Sequence, residues 1–264
     1  MRPDFYSPLP ILSQLPDHIW DKQWSQGIEW NESAGLELLE QLARYSGEYN
    51  YLVDSGQFDI VKQNMFKHHD SPLYYAIIRY FKPARLIEVG AGHSTQIASL
   101  ACLKNGFGEI TAIEPYPQEF LKNGLIPRLY LIQKPVQEIS IDVFRQLNAN
   151  DILFIDSSHV CKVGSHVNYL FLEVLPQLKK GVLIQLHDIF LPLEFPKRWI
   201  KELHLFWNEQ YMLHAFLIGN RDFEVLIGNN YMATNHPKQI ARIFDEYIKY
   251  GQGLGGGSFW LRKK

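Results

Sequence analysis

Cysteine is nearly absent from this 264-residue chain: Cys102 and Cys161 are the two it has, too few for a disulfide framework or a zinc cluster. Each sits in an apolar segment and is expected to be a reduced core residue. Long hydrophobic runs are missing as well. The longest uninterrupted apolar stretch, Leu73 to Ile78, is six residues, against the roughly 18 needed to cross a bilayer. The N-terminus has neither the charged start nor the apolar stretch of a signal peptide, so a cytoplasmic protein without membrane contact is expected. Neither sign of charge dominates, with 26 Lys plus Arg against 28 Asp plus Glu. No nucleic-acid partner is expected, because binding a polyanion takes a basic excess or stripe. What is present, 46% hydrophobic and 14% aromatic residues, suffices for one large core.

Four prolines in the first sixteen residues forbid a continuous helix and favour an extended arm. Leu36, Leu39 and Leu42 then recur at helical spacing between Asn31 and about Tyr45, with Asn31 or Ser33 as N-cap. A second helix is predicted from Ser71 to Tyr80, with Pro72 in its first turn. From Arg85 onward the pattern changes. Short apolar runs at Leu86–Val89, Ile110–Ile113, Leu129–Gln133, Ile152–Ile155, Val182–Leu186, Glu224–Ile227 and Ser258–Arg262 read as strands. Between them lie amphipathic segments at Thr95–Leu103, Pro117–Lys122, Val143–Leu147, Val167–Leu178 and Glu209–Leu217. Such strands separated by helices predict a doubly wound, mostly parallel α/β sheet of seven strands, at 83–264, behind an N-terminal arm and helical extension at 1–82.

The first strand runs into Glu88-Val89-Gly90-Ala91-Gly92-His93-Ser94-Thr95. Gly90 and Gly92 permit a tight strand-to-helix turn that a ligand can approach closely. The third glycine of a dinucleotide fingerprint is replaced by Thr95, which weakens the case for a pyrophosphate there. The second strand ends at Glu114, 26 residues after Glu88. A carboxylate at that place accepts hydrogen bonds from ribose hydroxyls, or simply caps the segment at Pro115. Together the two features favour an adenosine-containing ligand. Glu88 would repel a pyrophosphate but can hold a cationic group such as an amino-acid ammonium.

Glu-x-Gly-x-Gly followed by Glu114 resembles motif I and the ribose acid of class I S-adenosylmethionine-dependent methyltransferases, which implies a Rossmann-like methyltransferase fold. By that resemblance Glu88, Gly90, Gly92, Glu114 and Asp156 bind S-adenosyl-L-methionine, and Val136 and Gln137 fall beside its adenine.

The fourth strand leads into Asp156-Ser157-Ser158-His159 and the fifth into His187-Asp188. Neighbouring parallel strands would bring these residues around one cleft. Two carboxylates with an imidazole suit Mg²⁺ or another divalent cation, which lowers the pKa of a bound hydroxyl. His159, with a near-neutral reference pKa, is a candidate general base. Alternatively, Asp156 meets the cofactor and the histidines cap strand ends. The Asp-x-x-His pattern with an acid after the fifth strand resembles metal-dependent macrolide sugar O-methyltransferases and the related cephalosporin-modifying enzymes. That resemblance implies Asp156, His187 and Asp188 as metal ligands and His159 as base, although His187 stands where the group carries an acid. The stretches Phe5-Tyr6-Ser7-Pro8, Phe206-Trp207-Asn208-Glu209-Gln210-Tyr211 and Gly255-Gly256-Gly257-Ser258-Phe259-Trp260 are similar to a bacterial group in the same superfamily.

Phe190, Phe195, Trp199, Phe206 and Trp207 give the 189–209 segment an aromatic character that serves either a substrate pocket or helix packing. Asn208, Glu209 and Tyr211 offer polar contacts to a hydroxylated substrate, and the arm around Tyr6-Ser7-Pro8 is a candidate lid. The expected activity is O-methylation of a small hydroxylated acceptor, a sugar or glycoside by preference. Two alternatives stand beside it: metal-dependent hydroxylation or hydrolysis on the same fold, and a non-catalytic nucleotide-binding module. Self-association into a homo-oligomer is left open.

Overall fold

Side chains alternate across a strand, so a short apolar strand with no polar face must be covered on both sides. Strand after strand of this chain meets that condition. The computed structural model describes residues 6–57, 66, 70–241 and 256–264. Its strands are β1 (Arg85–Val89), β2 (Glu109–Ile113), β3 (Leu129–Ile132), β4 (Ile152–Ile155), β5 (Leu183–Leu186), β6 (Phe223–Gly228) and β7 (Phe259–Lys263). They form one sheet in the order β3-β2-β1-β4-β5-β7-β6. β1 to β5 pair in parallel, and β7 runs antiparallel to both β5 and β6. This is the doubly wound, mostly parallel seven-stranded α/β sheet expected from the sequence.

Helices cover both faces: α1 (Glu32–Leu42), α2 (Ser46–Asp54), α3 (Asp70–Phe81), α4 (His93–Asn105), α5 (Glu119–Lys122), α6 (Ile141–Arg145), α7 (His166–Tyr169), α8 (Lys197–Lys201), α9 (Glu209–Leu217) and α10 (Asn229–Asn235). Ile152 and Phe154 of β4 face one core with α3 and α4, while Leu153 and Ile155 face a second core with α6 and α7. Helices α1 to α3 of the N-terminal extension belong to the first core, whereas Ile28 ahead of them packs in the second. Leu73, Tyr74, Ile77 and Ile78 of α3 pack in one cluster with Leu86, Phe154 and Trp260 of the sheet. Among the described residues no helix is long and apolar enough to cross a membrane.

Several local expectations change. Asn31 stands at the start of α1 but in a left-handed conformation (φ 46), and its side chain donates to Val225 O at 3.2 Å instead of capping the helix. The helix expected over Val167–Leu178 is split into α7, a π-turn at Leu170–Val174 and a 3₁₀ turn at Leu175–Gln177. Pro176 has no N–H to give to the turn behind it, which disfavours a continuous α-helix through this segment. α2, α8 and α10 had no strong periodic signal. The His68-His69 pair, Phe5 and residues 251–255 lie outside the described residues.

One carboxylate fixes where β1 starts relative to β4. Asp151, buried just before β4, accepts at Oδ1 from Ala84 N (2.9 Å) and Arg85 N (2.8 Å), and at Oδ2 from Asn148 N (2.9 Å). Substituting it leaves three backbone donors without their acceptor, and buried unsatisfied donors are costly. Asp151→Ala is expected to lower unfolding stability by about 2–4 kcal/mol in urea titrations; an unchanged midpoint would remove this role.

Candidate active site at the carboxyl ends of the strands

In a doubly wound sheet the crevice opens where the strand order reverses, here between β1 and β4. Main-chain bonds carry the ladder past the strand ends and place the first loop residues side by side. Gly90 N donates to Ile113 O (3.0 Å), Glu114 N to Ile132 O (3.0 Å), Asp156 N to Val89 O (2.9 Å) and His187 N to Ile155 O (2.9 Å). The residues sequence reading singled out therefore meet in one row. Gly90, Gly92, Glu114, Asp156, His159, His187 and Asp188 all line a cavity of about 320 Å³.

The two glycines do different jobs. A Cβ on Gly90 would meet the carbonyl oxygen of Asp156 at 1.7 Å, so nothing larger fits between the ends of β1 and β4. A Cβ on Gly92 would meet nothing within 4 Å and would project into open space. Gly90 is required by the fold, whereas Gly92 leaves room at the cavity wall. Thr95 occupies the place of the missing third glycine with a use of its own. Its hydroxyl donates to Glu88 Oε2 (2.5 Å) and accepts from Gly92 N (3.3 Å).

Glu88 is not on the cavity wall. It is fully buried and bonded by Tyr74 OH (2.9 Å) and by Thr95, so both of its oxygens already accept from hydroxyls, and the ammonium contact expected of it, direct or through water, is not tested by these bonds. Burial is the main reason its carboxyl is pushed up to about 7, against the help of both hydrogen bonds. Glu114 does face the cavity; it accepts from Tyr116 N (2.7 Å) and Ala91 N (3.4 Å). Gln137 falls outside it, exposed, with its amide 3.5 Å from Gly164 O. Val136 is buried in the second core.

Deeper in the cleft, carboxylates and imidazoles alternate. His159 Nδ1 lies 2.9 Å from Glu209 Oε2, and its Nε2 is 3.4 Å from Asp156 and 3.6 Å from Asp188. His187 Nδ1 stands 3.5 Å from both Asp156 and Asp188, with Nε2 3.5 Å from Asp70. Neither ring nitrogen of His187 has a hydrogen-bond partner among the described residues. Burial works against the charge on His159, but Asp156 and Glu209 outweigh it and raise its pKa to about 10. His187 is also raised well above the ordinary histidine value, burial being outweighed by Asp156 and Asp188. Asp156 responds in kind: burial would lift its carboxyl, but the two histidines hold it below the carboxylate range. Asp70 is lowered to about 2, because His187, Ser258 and the Gly257 N–H outweigh its burial.

His159, expected as a base, converges with the aspartates: the ligand atoms of Asp156, His159 and Asp188 lie within 4.8 Å of one another. His187, expected as a ligand, stands equally near both aspartates through Nδ1 but has its other nitrogen toward Asp70. The reason is at the end of β5, where His187 turns inward and is enclosed with Asp70, which itself accepts from Gly257 N (2.9 Å), Ser258 N (2.8 Å) and Asn229 (2.8 Å). Asp70 and Glu209 went unassigned as partners of the histidines. Both are distant in sequence, and only the fold brings them in. Glu209 is set by main chain: the N–H groups of Asn208 (2.9 Å) and Glu209 (3.1 Å) both donate to His159 O.

The aromatic segment mostly packs on itself, through Phe190–Trp199 (5.1 Å), Phe195–Trp207 (6.4 Å) and Trp199–Trp207 (5.2 Å). Trp207 reaches the cavity, with its ring 4.3 Å from that of His159. Cys102 and Cys161 are both free thiols.

Residues 87–189 match the family model described as a methyltransferase domain. The chain is 30% identical over 163 residues to an uncharacterised protein of Archaeoglobus fulgidus, an alignment covering 56% of this chain and 73% of the archaeal one. It is similar to the O-methyltransferase of Bacillus cereus in complex with SAH, at a TM-score of 0.45 and 10% identity over 86% of this chain and 91% of that one. It is also similar to the plantazolicin methyltransferase in complex with SAH, at a TM-score of 0.44 and 15% identity over 89% and 98%.

The buried acid has a measurable consequence. Folded Glu88 keeps its proton to about pH 7, whereas the unfolded chain loses it near 4.5. The folded state thus binds more protons between these values, and its stability falls as pH rises through them. Glu88→Gln is expected to abolish this slope and to be more stable than the parent at pH 8 by about 3 kcal/mol, with little difference at pH 4.5. Denaturant titrations at both pH values check it; equal stabilities at pH 8 would contradict the assignment.

Proposed function

We propose that this chain, which belongs to one family with the archaeal protein and carries a methyltransferase domain, transfers a methyl group from S-adenosylmethionine to a hydroxyl of a small acceptor. A sugar or glycoside is the preferred acceptor. The observation that carries the reading is the open space at Gly92 beside Glu114, at the switch point of the sheet. That space admits the backbone-hugging part of a nucleoside, and the Glu114 carboxylate faces it ready to accept from ribose hydroxyls. The bound donor supplies an electrophilic methyl on a sulfonium. The protein's share is alignment of the acceptor oxygen and removal of its proton.

The donor set at Asp156, His159 and Asp188 fits a divalent cation: two carboxylates and one imidazole converge, and the other nitrogen of that imidazole is held by a buried carboxylate. Asp156 and Asp188 would hold it with His159; when bound, it lowers the pKa of a hydroxyl beside it. His159 as the chain stands keeps a proton to about pH 10. A His159 that holds the cation through Nε2, with Nδ1 on Glu209, has no nitrogen free for a proton, so its base role belongs to the reading without the cation, with the pull of Asp156 and Glu209 relieved. His187, paired with Asp70, acts from behind by holding Asp156 and Asp188 in position. Hydroxylation or hydrolysis at the same cluster has no observation in its favour beyond the cluster itself.

Calorimetry tests the donor. S-adenosylhomocysteine is expected to bind one site per chain and NAD none; tight NAD binding without S-adenosylhomocysteine binding would overturn the donor assignment. Gly92→Ala is expected to keep parental stability and lose at least tenfold in S-adenosylhomocysteine affinity, whereas Gly90→Ala is expected to fail to fold. A Gly92→Ala chain that binds normally would remove the observation on which the reading rests.

For the cation, Mn²⁺ binding followed by electron paramagnetic resonance is expected to be saturable and lost in Asp188→Asn. That substitution suits the backbone, since Asp188 is left-handed (φ 56) and asparagine tolerates this region. Unchanged Mn²⁺ binding in the variant would rule the site out.

A further inference from the structure

A second cavity, of about 290 Å³, lies on the other side of Trp207, which lines both. The N-terminal arm forms part of its wall through Pro8, Leu9 and Trp20, so the described part of the arm lines this cavity and not the one at the glycine turn. Its remaining wall includes Phe206 and Tyr211. Four of the lining side chains are therefore aromatic, and Glu194 is the one charged residue among them.

Glu194 is 9% exposed, and no cationic side chain pairs with it among the described residues. Phe195 N (2.8 Å), Gln210 Nε2 (3.3 Å) and Tyr211 OH (2.5 Å) all donate to its Oε1. No hydrogen bond reaches Oε2 from the described residues. Two lysines are nearby but committed. Lys197 (2.9 Å) and Lys201 (3.3 Å) pair with Asp17, with both ammoniums over the Trp20 ring at 5.1 and 5.2 Å. A buried carboxylate held by neutral donors is stabilised further by a cation, and aromatic walls attract the same charge through their quadrupoles.

We propose that this cavity binds an organic ammonium group, quaternary ammonium included, and that the acceptor is accordingly a hydroxylated molecule bearing such a group. The ammonium sits with Glu194 among Trp20, Phe206, Trp207 and Tyr211, and the hydroxyl lies beyond Trp207 toward Asp156 and His159. The role as an acceptor pocket rests on the methyltransferase reading; the affinity for a cation does not. The arm then acts as a specificity element, since Trp20 anchors it through Nε1 to Phe195 O (3.0 Å).

Choline and its neutral isostere 3,3-dimethyl-1-butanol serve as probes, titrated against the full chain with S-adenosylhomocysteine present and absent, and read by tryptophan fluorescence. Choline is expected to give a saturable change and the isostere at least tenfold weaker binding. Glu194→Gln, which keeps an oxygen for the three donors, is expected to lose at least tenfold in choline affinity while its calorimetric affinity for S-adenosylhomocysteine is unchanged. Should that variant not fold, Trp20→Leu, which keeps the carboxylate, is expected to weaken choline binding as well. Equal affinity for choline and the isostere, or no saturable choline binding, overturns the proposal. Choline binding without S-adenosylhomocysteine binding would uphold the cation site and sink the donor reading; the reverse would sink the cation site alone.

Discussion

The rest of the site depends on a contact between two backbones. The ends of β1 and β4 come so close at Gly90 and Asp156 that a single added carbon would fall 1.7 Å from a carbonyl oxygen. The register that produces this contact is set far back, where Val89 pairs with Ile155 and Asp151 ties the start of β1 to the start of β4. Because peptide geometry is stiff, fixing the two strands at their starts and along their pairing fixes where their ends emerge. Asp156 is thus delivered to the cleft by main chain, before any side-chain interaction acts on it. The turn at Gly92 and the start of α4 follow from the same departure of the chain out of β1.

On that scaffold the cleft accumulates more acid than base. Asp70, Asp156, Asp188 and Glu209 stand against His159 and His187, and Glu88 lies buried one layer below. Burying like charges is costly, and the chain compensates in two ways. Each histidine is shared between a buried carboxylate on one nitrogen and the cavity acids on the other, which raises both imidazole pKa values. Glu88, which meets no cation among the described residues, holds on to its proton instead. Asp70 and Asp156, which meet histidine, are thereby held low in or below the ordinary carboxylate range, whereas Glu88, which meets hydroxyls, is pushed up to about 7, and that contrast arises from the fold alone.

Much of this could be read from the sequence, and the boundary has a physical explanation. The strands were legible because β1, β4 and β5 are nearly continuous apolar runs, and the cavity residues were legible because each directly follows a strand. Glu88 could be placed at the end of β1 but not oriented: whether it faces the ligand or Tyr74 depends on α3, which comes from the N-terminal extension. Asp70 and Glu209 carry no local signal, since one opens α3 and the other opens α9, where an acid reads as a partner of the helix dipole. Their partnership with His187 and His159 is a tertiary fact. Which buried carboxylate backs each histidine has the same origin, because it depends on the neighbour that encloses each ring. Thr95 was legible only as a missing glycine, although its hydroxyl is what Glu88 bonds.

Trp207 shows why the aromatic segment could not be divided into packing and function from composition. Its ring lies edge-on to Phe195 and Trp199, which hold it in place, and close to His159, which it shields. Removing water from one side of His159 strengthens the ring's interactions with Asp156 and Glu209, because charges attract more strongly where the surroundings polarise less. The same side chain lines both the cavity at the glycine turn and the one beside the N-terminal arm. Packing residues and site residues are therefore a single stack here, in which rigidity at Phe195 and Trp199 sets the distance between two cavities. A helical periodicity argument assigns each aromatic residue to one face; a wall with a cavity on either side has none to spare.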